Sequence, residues 1–262
     1  MVTGVLPLAL EDATKTIQAF LLTGKEYVCL MTMHGDVDET RLRGVLQEFV
    51  GEIFQKPPVR AAVKREVRKR TIYSIDDVEI DGRQVLLRVA CQAGTYIRKL
   101  VYDVGEVLEV GAHMRELRRT RSGSFTEKDI HSLYDVLKLS QASPDEREGM
   151  VRQIVRPMED AFEYVPRIYI RDSAVSSICH GADLAVPGIV KLSEGIRPKT
   201  SLALFTLKGE LVALSRALMG TEQMMKDERG LAAKTVRVIM PTDTYPKLWK
   251  PKHARTVVKQ FN

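Results

Sequence analysis

Hydrophobic and polar positions along the chain switch between two periods. From Gln84 to Ala90 they alternate, with Val85, Leu87 and Val89 on one face, which predicts a half-buried strand. Ile72 to Ile80 precedes it across Asp81-Gly82, a turn pair that tolerates positive φ, so the two segments are expected to form an antiparallel hairpin. Tyr27 to Met33 predicts a further strand. Elsewhere the period is helical. Ile97, Leu100, Val101, Val104 and Leu108 recur at three- and four-residue steps, giving one apolar stripe, and Gly94 and Thr95 supply the turn and an N-cap. Leu8 to Leu22 predicts a helix with Leu10, Ala13, Ile17 and Leu21 inward and Gly24 as C-cap. Asp36-Val37-Asp38 makes a turn, and Leu42, Val45, Leu46, Phe49 and Ile53 mark a helix expected to run until Pro57-Pro58. Residues 127 to 163 read as helical and polar, with Ser140 to Glu148 as a surface loop.

Near Val165-Pro166 the pattern becomes one of short strands and turns. Asp172 can cap a brief helix that ends at Gly181; Leu202 to Leu207 and Leu211 to Leu214 bracket Lys208-Gly209 as a hairpin; Thr235 to Met240 is a last strand. A small all-β barrel is therefore expected over residues 165–246, after a larger domain over 1–164 and before a basic tail, 247–262, that carries Lys247, Lys250, Lys252, Arg255 and Lys259.

Composition narrows the class. At 262 residues, 44% hydrophobic and 28% charged, the chain is an ordinary globular sequence, not a disordered one. A net charge of +6 favours a polyanionic partner but is a weak signal by itself. Its distribution says more: six basic residues lie between Arg60 and Arg70 against the single acid Glu66, and four arginines lie between Arg115 and Arg121. Read without other support, both runs are solvated faces. Cys29, Cys91 and Cys179 are odd in number and widely spaced, so no disulfide framework or paired-cysteine metal site is expected, and a reducing cytoplasm fits. The first residues do not read as an export signal, and no apolar run approaches the roughly 18 residues of a membrane helix. The five histidines lack ligand spacing and there is no Gly-rich phosphate loop, so no metal or organic cofactor is implied.

The chemistry concentrates between Cys91 and Thr126. Arg98 stands next to the apolar stripe of its helix, within the first turn, where a guanidinium can reach a cleft above the sheet edge and hold a carboxylate or phosphate. The run Gly94-Thr95-Tyr96-Ile97-Arg98, then Asp103, Gly111-Ala112-His113 and Leu117-Arg118-Arg119-Thr120, closely resembles the third motif of the TruB/dyskerin family of pseudouridine synthases, in its archaeal, box H/ACA form. Val2 to Pro7, Lys25-Glu26-Tyr27, Gln55 to Lys64, Arg171 to Ala174 and His180 to Leu184 agree with it, so the resemblance covers nearly the whole chain. It implies an α+β fold: a mixed, largely antiparallel sheet in a catalytic domain, followed by a PUA-type barrel that binds RNA.

The resemblance also implies roles. Isomerising uridine to pseudouridine breaks the C1′ to N1 bond and rejoins the base through C5, so the target base must leave its stack and needs an aromatic platform, a basic surface and a carboxylate at C1′. Tyr27 matches the tyrosine that stacks on the base and acts in proton transfer at C5, and Arg98 the arginine that keeps the catalytic aspartate ionised. Leu117 matches an apolar pocket residue, and Pro57, Pro58 and Lys64 a loop at the active-site edge, from which Arg65, Arg68, Lys69 and Arg70 are expected to meet RNA phosphates. In the barrel, Gly181, Ala182, Asp183 and Leu184 match the segment that approaches the RNA 3′ end or ACA trinucleotide.

Val2-Thr3-Gly4 matches the end of the family motif Gly-Thr-Leu-Asp-Pro-x-Val-Thr-Gly, which puts the nucleophilic aspartate just upstream of Met1 and leads us to expect an incomplete N-terminus. Asp12, Asp36, Asp38 and Asp103 fit structural positions and do not replace it. Two functions remain open: an RNA pseudouridine synthase acting on tRNA or on guide-positioned rRNA, and a non-catalytic RNA-binding scaffold of the same family. The expected partners are tRNA, guide RNA and rRNA, with a small zinc-ribbon-like subunit, a Gar-type subunit and a kink-turn-binding ribosomal-type protein.

Overall fold

The computed structural model describes residues 2–57 and 64–247. The described chain divides into two compact units, one of residues up to 9 together with 20–164 and one of residues 10–19 together with 165 onward. The basic tail expected beyond Lys247 lies outside the described residues.

The first unit is built on one sheet. Its strands are β1 (Val2–Gly4), β2 (Lys25–Met33), β3 (Gly51–Gln55), β4 (Arg68–Asp81), β5 (Gln84–Cys91), β6 (Ala112–Ser122) and β7 (Phe125–Thr126). They lie in the order β1-β6-β2-β5-β4-β3, with β7 paired to β6, and only β1 runs parallel to its neighbour, so the sheet is mixed and largely antiparallel. The hairpin of β4 and β5 forms, but one residue later than the Asp81-Gly82 pair predicts: Asp81 pairs with Gln84 and closes β4, and the loop is Gly82-Arg83, with Gly82 at positive φ. One face carries helices α2 (Glu39–Glu48) and α3 (Ile97–Val107). The stripe of α3, Ile97, Leu100, Val101 and Val104, packs with Leu42, Val45 and Leu46 of α2 onto Met31, Met33, Leu87 and Val89 of the strands. Each such side chain contributes about 1.5–3 kcal/mol by leaving water, which is what holds α3 against the sheet.

Three local expectations are corrected. The 8–22 segment is a 3-10 turn over Glu11–Thr16 followed by the five-residue α1 (Ile17–Leu21), and Leu10, Ile17 and Leu21 face solvent while Thr16 and Phe20 are buried. The inward face is thus one that amphipathic counting does not select. Helix α2 stops at Glu48: Gly51 takes a φ of +112°, a conformation open to glycine, and Ile53 continues into β3 because the edge of β4 is there to pair with. Ser140 to Glu148 is not a loop but the junction of α4 (Leu133–Gln141) and α5 (Pro144–Ile154), the second opening on Pro144 after Ser143. In addition, Thr95 does not cap α3. Its hydroxyl donates to the Gln92 carbonyl, and Tyr96 occupies the cap position.

The second unit contains β8 (Arg167–Ile170), α6 (Asp172–Cys179), β9 (Leu184–Ala185), β10 (Ile189–Leu192), β11 (Ser201–Thr206), β12 (Leu211–Ala217), α7 (Thr221–Lys226) and β13 (Leu231–Val238). Its sheet order is β10-β8-β11-β12-β13-β9, with β11 parallel to β8 and the remaining pairs antiparallel. Ile168, Ile170, Leu204, Val212 and Ala233 fill its interior with Val175 and Ile178 of α6. Arg171, not Asp172, stands at the N-cap of α6, and Asp172 falls in the first turn, where its charge suits the helix dipole.

Candidate active site

Strand β2 lies between β5 and β6, and its first residues set the site. Lys25, Tyr27 and Cys29 share the face toward α2 and α3, with Cys29 in the core and Tyr27 packed against its margin. Tyr27 is opposite Val89 of β5 and Arg119 of β6; Leu117, two residues earlier on β6, is opposite Cys29 and also packs on that margin. The structure therefore brings Tyr27 and Leu117 onto one face of adjacent strands. Arg98 is reached by following β5 past Cys91, which pairs with Lys25, through the Gly94 turn and into α3. It is exposed and forms no ion pair among the described residues.

Gln55 fixes the start of α3. Its amide, 2% exposed, accepts from the Tyr96 backbone N–H at 2.9 Å and donates to the Tyr96 carbonyl at 3.2 Å, so the end of β3 is clamped to the first turn of the helix carrying Arg98. Pro57 is buried just beyond that clamp. Pro58 lies outside the described residues. Lys64 and Arg65 are exposed, with Lys64 ion-paired to Glu66. Along β4 the basic residues alternate: Arg68 donates to the Lys64 carbonyl, Lys69 pairs with Glu52 at 2.6 Å, and Arg70 lays its guanidinium over Gly94. Arg70 Nη1 donates to the Lys69 carbonyl, while its buried Nε has no hydrogen-bond acceptor.

Electrostatics differ between the two faces of β2. On the core-margin face, burial, and after it Cys91, push the Tyr27 phenol up from its ordinary value, and the charge of the Arg119 guanidinium pulls the other way without cancelling the shift. Lys25 donates to the Thr23 carbonyl at 2.8 Å; burial, then the charge of Arg119, lower its ammonium to about 8. On the opposite face Glu26 accepts from the Thr120 hydroxyl at 2.8 Å and from Arg88 at 3.1 Å, with Arg121 at 3.6 Å. Burial opposes its ionisation, but those hydrogen bonds and charges win, and the carboxyl sits below its ordinary range. Arg88 in turn pairs with Asp77 at 2.7 Å.

In the second unit Gly181, at a φ of +89°, ends α6, and Gly181 and Ala182 are exposed. Asp183 accepts from the Thr235 backbone N–H at 2.8 Å, and the Ala182 carbonyl accepts from the Thr235 hydroxyl at 2.7 Å. The Leu184 side chain is 1% exposed and belongs to the core. Sequence reasoning missed Gln55 and Glu26 as organisers, and Arg119, which it counted within a solvated basic run. Reading Ala112 to Ser122 as a strand would have separated that run into two faces.

Comparisons with known proteins place the chain among RNA-modifying synthases that carry a PUA domain. The chain matches the tRNA pseudouridylate synthase B C-terminal domain over residues 98–163, the PUA domain over 166–239 and the Pus10 C-terminal family over 6–117. It is 57% identical over 249 residues to a probable tRNA pseudouridine synthase B of Methanopyrus kandleri, covering 95% of this chain and 74% of the relative. With the protein of the same name from Thermococcus kodakarensis it shares 52% over 255 residues, covering 96% and 75%. Among solved structures, a chain of a Cbf5-Nop10-Gar1 complex superposes with a TM-score of 0.90 at 51% identity, covering 94% of this chain and 76% of that one. A chain of an H/ACA ribonucleoprotein bound to a substrate RNA containing 2′-deoxyuridine gives 0.84 at 48%, covering 95% and 76%. The chain belongs to the tRNA pseudouridine synthase B family, of archaeal type.

Proposed function

We infer that the protein isomerises uridine to pseudouridine in RNA. The observation that carries the reading is the 0.90 TM-score to a chain of the solved Cbf5-Nop10-Gar1 complex at 51% identity across 94% of this chain. The local geometry fits the reaction. C1′–N1 breaks, C1′–C5 forms, the proton leaves C5 and one is gained at N1, so the site must hold a flipped uracil and move a proton at C5. Tyr27 offers a ring face for the base and a phenol for that proton, Leu117 an apolar wall, and Arg98 an unpaired guanidinium for a carboxylate at C1′. Val2 pairs in parallel with Leu117 of β6, so the stretch Val2-Thr3-Gly4, which matches the end of the family motif, lies beside the apolar pocket residue of this reading.

Lys64, Arg65, Arg68, Lys69 and Arg70 form the phosphate-facing edge in this reading, with Pro57 and Pro58 leading into it, and Gly181, Ala182 and Asp183 meet RNA in the second unit, Leu184 through its backbone. The substrates are tRNA, guide-positioned rRNA or both, and the partners are RNA and the other proteins of an H/ACA particle, since solved relatives occur in complexes with Nop10, Gar1 and substrate RNA. No helix of the described residues is long and apolar enough to cross a membrane, and we place the protein in the cytoplasm.

The test is release of tritium from RNA labelled at uridine C5. Arg98→Ala and Tyr27→Phe are each expected to lower kcat by at least about 10²-fold while RNA binding stays within about threefold. RNA bound tightly with no release from the unaltered protein would favour the scaffold reading instead.

A further inference from the structure

His34 and His113 are 79 positions apart in the sequence and meet across the sheet. His113 stands near the start of β6, opposite Thr32 of β2, and His34 is the first residue beyond the end of β2. His34 Nε2 lies 2.9 Å from His113 Nδ1, with ring centroids 5.1 Å apart and planes inclined by 35°, and both rings are exposed. The backbone sets this facing. The His34 N–H donates to the Gly111 carbonyl at 2.9 Å. Its ring lies so close over Gly111, at a φ of +75°, that a Cβ there would come within 2.9 Å of Nδ1. Gly111 thus occupies the Nδ1 side, and Nε2 is left turned to His113. The charged groups nearby are committed to one another: Arg83 forks onto Asp36 at 2.7 and 3.2 Å and reaches the His34 carbonyl at 3.4 Å, and Glu109 pairs with Arg41 at 3.7 Å. Among the described residues neither ring pairs with a carboxylate.

We propose that His34 and His113 chelate a divalent transition-metal ion of the zinc, nickel or copper class, through His34 Nε2 and His113 Nδ1. Two imidazole nitrogens that share one hydrogen already point at a common spot; when that proton leaves to solvent, both lone pairs face it. Neutral imidazole is the donor such borderline ions prefer, whereas magnesium and calcium take oxygen. At metal–nitrogen distances of about 2.0–2.1 Å in tetrahedral geometry the two nitrogens stand about 3.3 Å apart, so the pair opens by only about 0.4 Å from 2.9 Å, a swing that two exposed rings can make. No third His, Cys, Asp or Glu completes a cluster among the described residues, so water fills the remaining positions. The sequence hides such a site, because ligands on two strands leave no short spacing to count. It is also separate from Tyr27, which stands near the other end of β2, about 23 Å away at the rise of a strand.

The experiment is calorimetric titration of the untagged chain, freed of metal, with Zn²⁺, Ni²⁺, Cu²⁺ and Mg²⁺ in turn, repeated on H34N, H113N and the double variant. One ion per chain is expected for each transition metal, Cu²⁺ bound most tightly, and none for Mg²⁺ at the same concentrations. Each single substitution should weaken binding at least about tenfold, the loss that even an outer-shell change produces. The double variant should lose little more, because one imidazole alone closes no chelate ring. Zn²⁺ should raise the thermal midpoint of the unaltered chain and leave both single variants unmoved, since an ion bound only by the folded state stabilises it. Absence of binding by the unaltered chain overturns the proposal, as does an affinity unchanged in either single variant. Losses that simply add in the double variant also overturn it, since they would mark scattered surface histidines. If one single variant does not fold, the other decides.

Discussion

Lys25, Glu26 and Tyr27 are consecutive, yet the pleat sends the middle one into different electrostatic surroundings. Glu26 is held ionised by Thr120, Arg88 and Arg121, so its folded pKa lies below the unfolded value near 4.5. Such a group stabilises the fold above the unfolded pKa and loses that contribution as pH falls through the folded one. Glu26→Gln is therefore expected to cost about 1–3 kcal/mol at pH 7, and urea titrations repeated below pH 4.5 should show the difference shrinking. Lys25 behaves oppositely. Its folded pKa of about 8 lies below the ordinary 10.5, so between these values the unfolded chain binds the extra proton and stability rises with pH. Relative to Lys25→Met, the unaltered protein should gain stability from pH 8 to 10.5, measured by denaturant midpoints; an unchanged difference would mean the ammonium is solvated.

At the scale of elements, the site depends on where α3 starts. Its stripe glues the helix to the sheet, but the stripe does not define the first turn; Gln55 does, by saturating both backbone groups of Tyr96. Gln55→Ala leaves both groups unpartnered in a buried place and should cost about 1–3 kcal/mol. It should also lower kcat more than it weakens RNA binding, because it frees the turn that presents Arg98, while Gln55→Glu, which can accept but not donate when ionised, should not restore it. Leu100→Ala, in the middle of the same helix, should cost about 2–5 kcal/mol through the cavity it leaves, with kcat per folded molecule close to the unaltered value.

For the whole molecule, the partner is a polyanion, and binding should show it. The logarithm of RNA affinity should fall linearly with the logarithm of salt concentration, and Arg65→Gln with Arg68→Gln should reduce the slope by about 0.7 for each phosphate no longer neutralised. A slope independent of both substitutions would place the RNA elsewhere on the surface. The net charge of +6 is compatible with either result, because total charge sets attraction but not the path of the strand.

Periodicity alone determined the β4–β5 hairpin, strand β2 and the stripe of α3, because these segments bury one face and repeat at two or at 3.6 residues. It failed where another element overrides local preference. Ile53 belongs by spacing to α2 and by pairing to β3, and the edge of β4 decides. Ala112 to Ser122 reads as a basic run because Arg118 and Arg121 sit among apolar residues that only a sheet sorts onto faces. Tyr27, Arg98 and Leu117 come from the family resemblance and not from periodicity, since none of the three breaks the pattern of its own element. That Arg119 bonds to Val5 and Gln55 to Tyr96 follows only from the tertiary structure, because a hydrogen bond between residues 114 or 41 positions apart leaves no mark on the local pattern of either segment.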